Sequence, residues 1–232
     1  MKPAWIERLL AVDTPTICNA IEMAQGARGF SQFTRTAPVW TGRTDQRMLG
    51  QARTARIASA RPPKHSAEEL KSRRQAYFDY MQIGEHPGIA VIQDLDNEHA
   101  IGAWWGEINA LAHLAVCRLS GALTNGLVRD LGDLPAEFPI AAGAVGPSHG
   151  FVHVVDFGEP VEVFGLKIAP LDWVHADCHG AVVIPEAVLP DLVSALDRLL
   201  SAESVVLDPL RAGELSMDEF KRLWAEFERR RV

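Results

Sequence analysis

The sequence predicts an α/β domain of layered sheets. Strand-like apolar runs alternate with segments of helical period through the middle of the chain, the second half is dense in short strands, and no repeat or low-complexity stretch interrupts the pattern. The 232 residues are 47% hydrophobic, enough for a domain that buries roughly 70–75% of its unfolded surface. Lys and Arg number 23 against 30 Asp and Glu, a net charge of −7. That balance argues against a nucleic-acid binder, which gathers basic residues on one face. The local basic groups are Arg53/Arg56/Arg61/Lys64, Lys71/Arg73/Arg74 and Arg229–Arg231; each is mixed with apolar or acidic neighbours and reads as a solvated face. No apolar run approaches the roughly 18–20 residues that span a bilayer, and Glu7 and Arg8 interrupt the apolar patch where a signal peptide would need its h-region. Cys18, Cys117 and Cys178 are odd in number and far apart, a pattern of neither a disulfide framework nor a CxxC zinc site. The expectation is a cytoplasmic, reduced protein with no nucleic-acid or membrane partner.

The elements follow in order. Trp5–Leu10 is a short apolar turn. Asp13 or Thr14 caps a helix with Pro15 in its first turn, running to about Gly26, with Ile17, Ala20, Ile21 and Ala24 on one face. Residues 27–50 show little period and read as loop with short strands, leading to a strand over Gly50–Ser59. Ser66-Ala-Glu-Glu69 is a capping box for a helix through about Met81. Gly88–Asp94 is an apolar strand closed by Asp94, Asp96 and Asn97. Gly106 or Glu107 starts a helix with Ile108, Leu111, Ala112, Ala115 and Leu119 at helical spacing, and Ala122–Val128 is a strand interrupted at Asn125-Gly126. Short strands follow at Pro139–Ala142, Val152–Asp156, Val161–Val163 and Ala181–Ile184. Glu186–Leu200 is an amphipathic helix, and Ser216-Met-Asp-Glu219 caps a final one.

Three segments carry chemistry. Thr124-Asn-Gly-Leu-Val-Arg129-Asp130 passes from strand to loop, where α/β folds place ligands. A guanidinium and a carboxylate there suit an anion and a divalent cation; a surface ion pair or turn cap would use the same dipeptide. Gly106-Glu107-Ile108-Asn109 opens a helix whose first amides suit a carboxylate ligand, while Glu107 also fits simply as an acid on the helix dipole. His175, Asp177 and His179 are two apart, so a strand sets them on one face as metal ligands, with His149 and His153 upstream. Hydrogen-bonded structural histidines are the alternative, and no fourth ligand of zinc type accompanies them. Trp104 and Trp105 read as core or pocket wall.

Those segments together are similar to the RraA-like family, which takes in the regulator of ribonuclease activity A and the 4-hydroxy-4-methyl-2-oxoglutarate aldolases. The matching residues are Gly106-Glu107-Ile108-Asn109, then Gly126-Leu-Val-Arg129-Asp130, then Pro170-Leu171-Asp172 through Asp177 and Gly180-Ala-Val-Val-Ile-Pro185. Thr16-Ile-Cys-Asn-Ala20 and Gly50-Gln-Ala-Arg-Thr54 resemble the family's opening elements, so the likeness runs over about residues 12–205. It implies an α/β domain of the layered, swivelling β/β/α type over 1–205, with a C-terminal helical extension over 206–232. It also implies a homo-oligomer, a trimer or hexamer, with active sites between subunits.

For chemistry, the resemblance implies a lyase of the class II pyruvate-aldolase type, acting on a 4-hydroxy-2-oxo acid or decarboxylating an oxaloacetate-like acid by way of a pyruvate enolate. Asp130 would bind Mg²⁺ or Mn²⁺, Arg129 would grip a substrate carboxylate, and the Gly106–Asn109 amides would receive the pyruvate carboxylate. Glu107 would orient a water for proton transfer. Trp105, His149, His153, His175, Asp177 and His179 are further candidates, and Glu203 is the nearest match to a glutamate donated by the next subunit. Lys167 sits in a strand-like apolar stretch and need not be catalytic, since no Schiff base is required. Two features depart from the family: Leu171 replaces the Gly of a Pro-Gly-Asp turn, where φ > 0 is commonly required, and the lysine expected after the Arg-Asp strand has no clear match. The family also contains non-enzymatic regulators that bind a ribonuclease complex. A methyltransferase using S-adenosylmethionine would need a Gly-rich strand–helix turn that the sequence lacks.

Overall fold

The computed structural model describes residues 3–84, 87–96, 100–213 and 215–231. Asn97, read from sequence as part of a strand's closing turn, lies outside them. The chain forms two compact units, one of Gln32–Ile184 and one of Pro3–Ser31 with Pro185–Val232.

The first unit is a mixed α/β fold around one curled sheet. In chain order its strands are β1 (Val39–Trp40), β2 (Met48–Ala58), β3 (Gly88–Asp94), β4 (Ala103–Trp105), β5 (Leu119–Thr124), β6 (Leu127–Val128), β7 (Ile140–Ala142), β8 (Ala144–Val145), β9 (His153–Phe157), β10 (Val161–Val163), β11 (Leu166–Ile168), β12 (Trp173–Asp177) and β13 (Gly180–Ile184). The main sheet runs β1-β7-β5-β3-β2-β12-β13, with β9 also on β2. Strands β2, β3, β5 and β7 are parallel neighbours. The eleven-residue β2 pairs antiparallel with β12 through Met48–Gln51 and with β9 through Ala55–Ala58, the register shifting at Arg56/Ile57. A strand with successive partners along one edge turns the sheet on itself.

Period-two alternation sends neighbouring residues to two cores. Ala55, Ile57, Ala90, Ile92, Ala122, Ile140 and Ala142 face a cluster with Tyr77, Met81, Trp104, Trp105, Ala110 and Phe138. The partners on these strands, Ala52, Ile89, Val91, Leu123 and Ala141, face the β10–β11 hairpin through Val161, Val163, Leu166 and Ile168. The layers are thus hairpin, sheet, and a layer holding helices α3 (Ala67–Met81) and α4 (Glu107–Ala115).

A three-stranded parallel sheet, β4-β6-β8, stands apart from the main one. The sequence reading joined β5 to β6 as one interrupted strand; they belong to different sheets. Asn125 makes the break, since its amide accepts from the Asp94 N–H at 2.7 Å and donates to the Asp94 carbonyl at 2.9 Å, taking the place of a strand partner for the end of β3. The reading of Arg53 and Arg56 as a solvated face is also corrected. Arg53 is buried, its Nε donating to the Ile83 carbonyl at 2.6 Å, and Arg56 makes a two-pronged bridge to Asp156 across β2 and β9.

The second unit is helical: α1 (Ala4–Leu10), then α2 (Thr14–Gln25) capped by Asp13, then α5 (Leu192–Ala212) after a 3-10 turn at Glu186–Val188, and α6 (Met217–Arg230) opened by the Ser216–Glu219 capping box. The helix expected to end near Leu200 starts later and continues to Ala212, with Pro209 in its last turn. Its buried stripe continues through Ala202 and Val206, which pack with Phe227. No described helix is long and apolar enough to cross a membrane.

Candidate active site

Parallel strands β4 and β6 end side by side, and each hands over to a loop residue that the sequence marked. β4 leads through Gly106 into α4, while β6 leads into Arg129 and Asp130. The Arg129 amide donates to the Trp105 carbonyl at 2.9 Å, extending the pairing by one residue. Asp130 then takes φ +58, a left-handed conformation that Asp tolerates better than most residues, and the turn that follows closes where the Asp133 amide donates to the Asp130 carbonyl at 2.9 Å.

That bend directs the Asp130 carboxylate to the start of α4. Its Oδ2 accepts from the Glu107 amide at 3.1 Å and lies 3.5 Å from Arg129 Nε. The carboxylate therefore caps a helix whose own cap residue, Gly106, has no side chain to do so. Gly106 is extended, with φ −156, so the need for glycine is steric. A Cβ there would stand 2.5 Å from Asp130 Oδ2 and 3.0 Å from Arg129 Nε. The first intrahelical bond runs from Ala110 to Gly106 at 2.9 Å, which leaves the Ile108 and Asn109 amides ahead of it, at the positive end of the helix.

These residues line a cleft of about 750 Å³, together with Lys71 and Arg74 of α3, Trp104, His149 and His153. Its size suits a small molecule. Each histidine presents Nδ1 to a carbonyl oxygen, His149 to Gly150 at 2.9 Å and His153 to Phe151 at 2.8 Å. A carbonyl only accepts, so Nδ1 carries the proton and Nε2 is the basic nitrogen of each ring.

Behind the cleft a buried network fixes α4. The Asn109 side chain donates to the Trp104 carbonyl at 2.8 Å. His113, one turn on, donates from Nδ1 to the Asn109 carbonyl at 2.6 Å, and its Nε2 accepts from the Tyr77 hydroxyl at 2.7 Å. Burial pushes His113 down to about 4, against a small upward pull from its bond to Asn109, and pushes the Tyr77 hydroxyl up.

Gly106, Glu107, Ile108, Asn109, Arg129, Asp130, His149 and His153 thus come together in one cleft. Trp105 does not line it: the ring is fully buried against His113 and Phe138, and Trp104 forms the wall instead. His175 and Asp177 are buried on β12, and His179 follows in the turn to β13, off the strand face that the spacing suggested. Glu203 belongs to the helical unit, where burial raises its carboxyl against the pull of Arg231. Sequence reasoning missed Lys71 and Arg74, assigned there to a solvated face. A signal existed, because they stand three apart on a helix that the Ser66–Glu69 box starts cleanly. The Arg74 guanidinium lies 5.7 Å above the Trp104 ring.

Leu171 resolves one departure. Its φ is +71, so the turn keeps the left-handed conformation without glycine. The Leu171 amide bonds the Ala52 carbonyl at 2.9 Å, and the Asp172 side chain accepts from the Ala169 amide at 2.8 Å, which holds the turn from both sides.

Known proteins resemble this chain in sequence or in fold. An uncharacterized protein of Methanocaldococcus jannaschii is 26% identical over 114 residues, covering 48% of this chain and 54% of that relative, so the match spans about half its length. The structure of an uncharacterized protein from Pseudomonas syringae superposes with a TM-score of 0.69 at 16% identity, covering 97% of this chain and 94% of that one. Streptomyces coelicolor RraAS2, described as an unusual member of the RNase ES inhibitor RraA protein family, superposes with a TM-score of 0.65 at 22% identity over 88% of this chain and 96% of its own. At these identities the likeness is one of fold. The family model for RraA-like proteins, described as Aldolase/RraA, matches residues 14–183, most of the chain and all of the cleft; the protein belongs to the RraA-like family.

Proposed function

We propose that the protein is a divalent-cation-dependent carbon–carbon lyase, cleaving a 4-hydroxy-2-oxo acid or decarboxylating an oxaloacetate-like acid. The observation that carries this reading is the junction of β4 and β6, where an amide-lined helix start, a guanidinium and an oriented carboxylate meet in one cleft. A surface for protein contacts needs no such convergence.

The donor chemistry fits Mg²⁺ or Mn²⁺. Asp130 is a hard oxygen donor, anchored through Oδ2 yet 36% exposed, and the neighbouring Glu107 carboxylate adds a second oxygen donor for a water. One fixed carboxylate with room for water is what these ions accept. A cation held by Asp130 would supply Lewis acidity, drawing charge from the oxo acid as the carbon–carbon bond breaks.

The chain's own residues do the rest. The Ile108 and Asn109 amides receive the carboxylate beside the oxo group. Arg129 pairs with a substrate oxygen from the opposite side. Lys71 and Arg74 offer positive charge to a second carboxylate, the part that the resemblance gives to a lysine with no clear match in this chain. Glu107 holds the water that protonates the carbon freed by cleavage. We assign the protein to the cytoplasm, the compartment that the thiols of Cys18, Cys117 and Cys178 suit, and to a homo-oligomer whose subunits meet beside this cleft.

A coupled assay for pyruvate tests the proposal, offering oxaloacetate and 4-hydroxy-4-methyl-2-oxoglutarate with Mg²⁺, with Mn²⁺ and with chelator. Metal-dependent release that disappears in Asp130→Ala is the expected result. No release under any condition, with stable capture of a ribonuclease, would establish instead the non-enzymatic regulator that the description of the Streptomyces neighbour brings to mind.

A further inference from the structure

The β12–β13 hairpin turns through Asp177-Cys178-His179-Gly180, and three kinds of ligand atom converge at its tip. His179 Nδ1 lies 3.1 Å from Asp177 Oδ1 and 3.7 Å from Cys178 Sγ, and the three atoms all lie within 4.8 Å of one another. A tetrahedral zinc ion, with bonds of about 2.0 Å to N and O and about 2.3 Å to S, sets such atoms about 3.3–3.6 Å apart. We propose that this hairpin tip is a metal site for a zinc-class divalent cation, ligated by the Asp177 carboxylate, the Cys178 thiolate and the His179 imidazole.

The way the groups face each other separates this from a nucleophilic triad. A thiol–imidazole–carboxylate relay sets the acid on one ring nitrogen and the thiol on the other. Here both the thiol and the carboxylate face Nδ1. One proton on that nitrogen serves one neighbour at a time, whereas a cation in its place serves all three.

The site is held before any ion arrives. Asp177 is buried, and its Oδ1 also accepts from the His179 amide at 2.8 Å, which winds the turn around the carboxylate. Gly180, paired with Asp177 in the ladder, has φ +131, and a Cβ there would press within 2.2 Å of Thr34 Oγ1. The backbone at the tip therefore has little freedom. Cys178 Sγ is 3.7 Å from the Thr44 carbonyl, to which the thiol points its proton. The His179 side chain is 54% exposed, so a fourth position opens to water.

Ligand softness assigns the ion. A thiolate and an imidazole select zinc-class ions over Mg²⁺, whereas the carboxylate oxygens of Asp130 and Glu107 are the hard donors that Mg²⁺ prefers. Binding sends the Cys178 proton to solvent and leaves the ring proton on His179 Nε2, so affinity rises with pH.

Titration of the full chain with Co²⁺ tests the site by spectroscopy rather than activity. One equivalent should produce a near-ultraviolet thiolate-to-cobalt charge-transfer band that Zn²⁺ then displaces. Cys178→Ser should abolish the band, His179→Ala should weaken binding at least about tenfold, and Asp130→Ala should leave it intact. In the unaltered protein, Zn²⁺ should also protect Cys178 from alkylation as mapped by mass spectrometry. Absence of the band, its survival in Cys178→Ser, or alkylation of Cys178 at the same rate with and without Zn²⁺ would each overturn the proposal.

Discussion

Leu171 holds a left-handed backbone that costs a residue with a Cβ about 1–2 kcal/mol, and its exposed side chain recovers little of that by burial. Leu171→Gly should therefore stabilise the protein by about 0.5–1 kcal/mol in urea denaturation, the gain being trimmed by the greater freedom of glycine in the unfolded chain. The sequence marked this position as unusual but not its outcome, because the hydrogen bonds that hold the turn come from Ala52 and Ala169, one of them far away in the chain. His113 was equally illegible. In sequence it is one polar residue in an apolar helix; only packing reveals Tyr77, Trp105 and Phe138 around it. Burial lowers its pKa from 6.5 to about 4. Between those values the unfolded chain binds more protons than the folded one. Its contribution is thus fully present above pH 6.5 and is lost as pH falls toward 4, by about 1.4 kcal/mol per unit. Asp94, raised by burial, acts with the opposite sign at the acid end. The measurement is accordingly the difference in urea stability between wild type and His113→Gln from pH 7 to 4.5, and the variant should show the flatter slope.

Helix α3 shows how an element can be legible while its use is not. Ser66 accepts from the Glu69 amide, and the Glu69 carboxylate returns a bond to the Ser66 amide at 2.7 Å, so its start was readable from four residues. Its function depends on what it packs beside, and that is set by β9 and Trp104. If Arg74 serves the second carboxylate of a substrate, Arg74→Ala should raise KM for a dicarboxylic oxo acid about tenfold or more while changing kcat little, the pattern of lost uniform binding. Equal KM values for the two proteins would remove α3 from recognition. Short strands escaped the sequence for a different reason. β4 has three residues and β6 two, too few for a period of two to register, yet their ends carry Gly106 and Arg129. The motif residues were recognisable, and the strand pair that brings them together was not.

At the scale of the whole molecule, the family was legible from two short motifs read together, Gly106–Asn109 and Gly126–Asp130, both inside the span that the family model matches. What surrounds the site is less so. Along α4, Ile108 is 83% exposed and Leu111 is exposed as well. The helix therefore buries Ala110 and His113 on one side and offers an apolar stripe on the other, beside the cleft. A lone exposed apolar residue is ordinary, but a stripe of this kind on a helix that opens the proposed active site fits a surface covered by another subunit. Such a contact would exclude water from the cleft entrance and account for an oligomer in which sites are completed between chains. Leu111 shares a face with Ile108 but lies nearly a full helical turn further along and does not line the cleft, so it tests assembly without removing a proposed ligand. Leu111→Arg should convert a trimer or hexamer into monomers in light scattering, because a charge buried at an interface without a partner costs several kcal/mol. Pyruvate release should fall with it at low protein concentration and recover as the concentration rises and subunits reassociate. A variant that becomes monomeric yet keeps full activity would show that the cleft is complete within one chain.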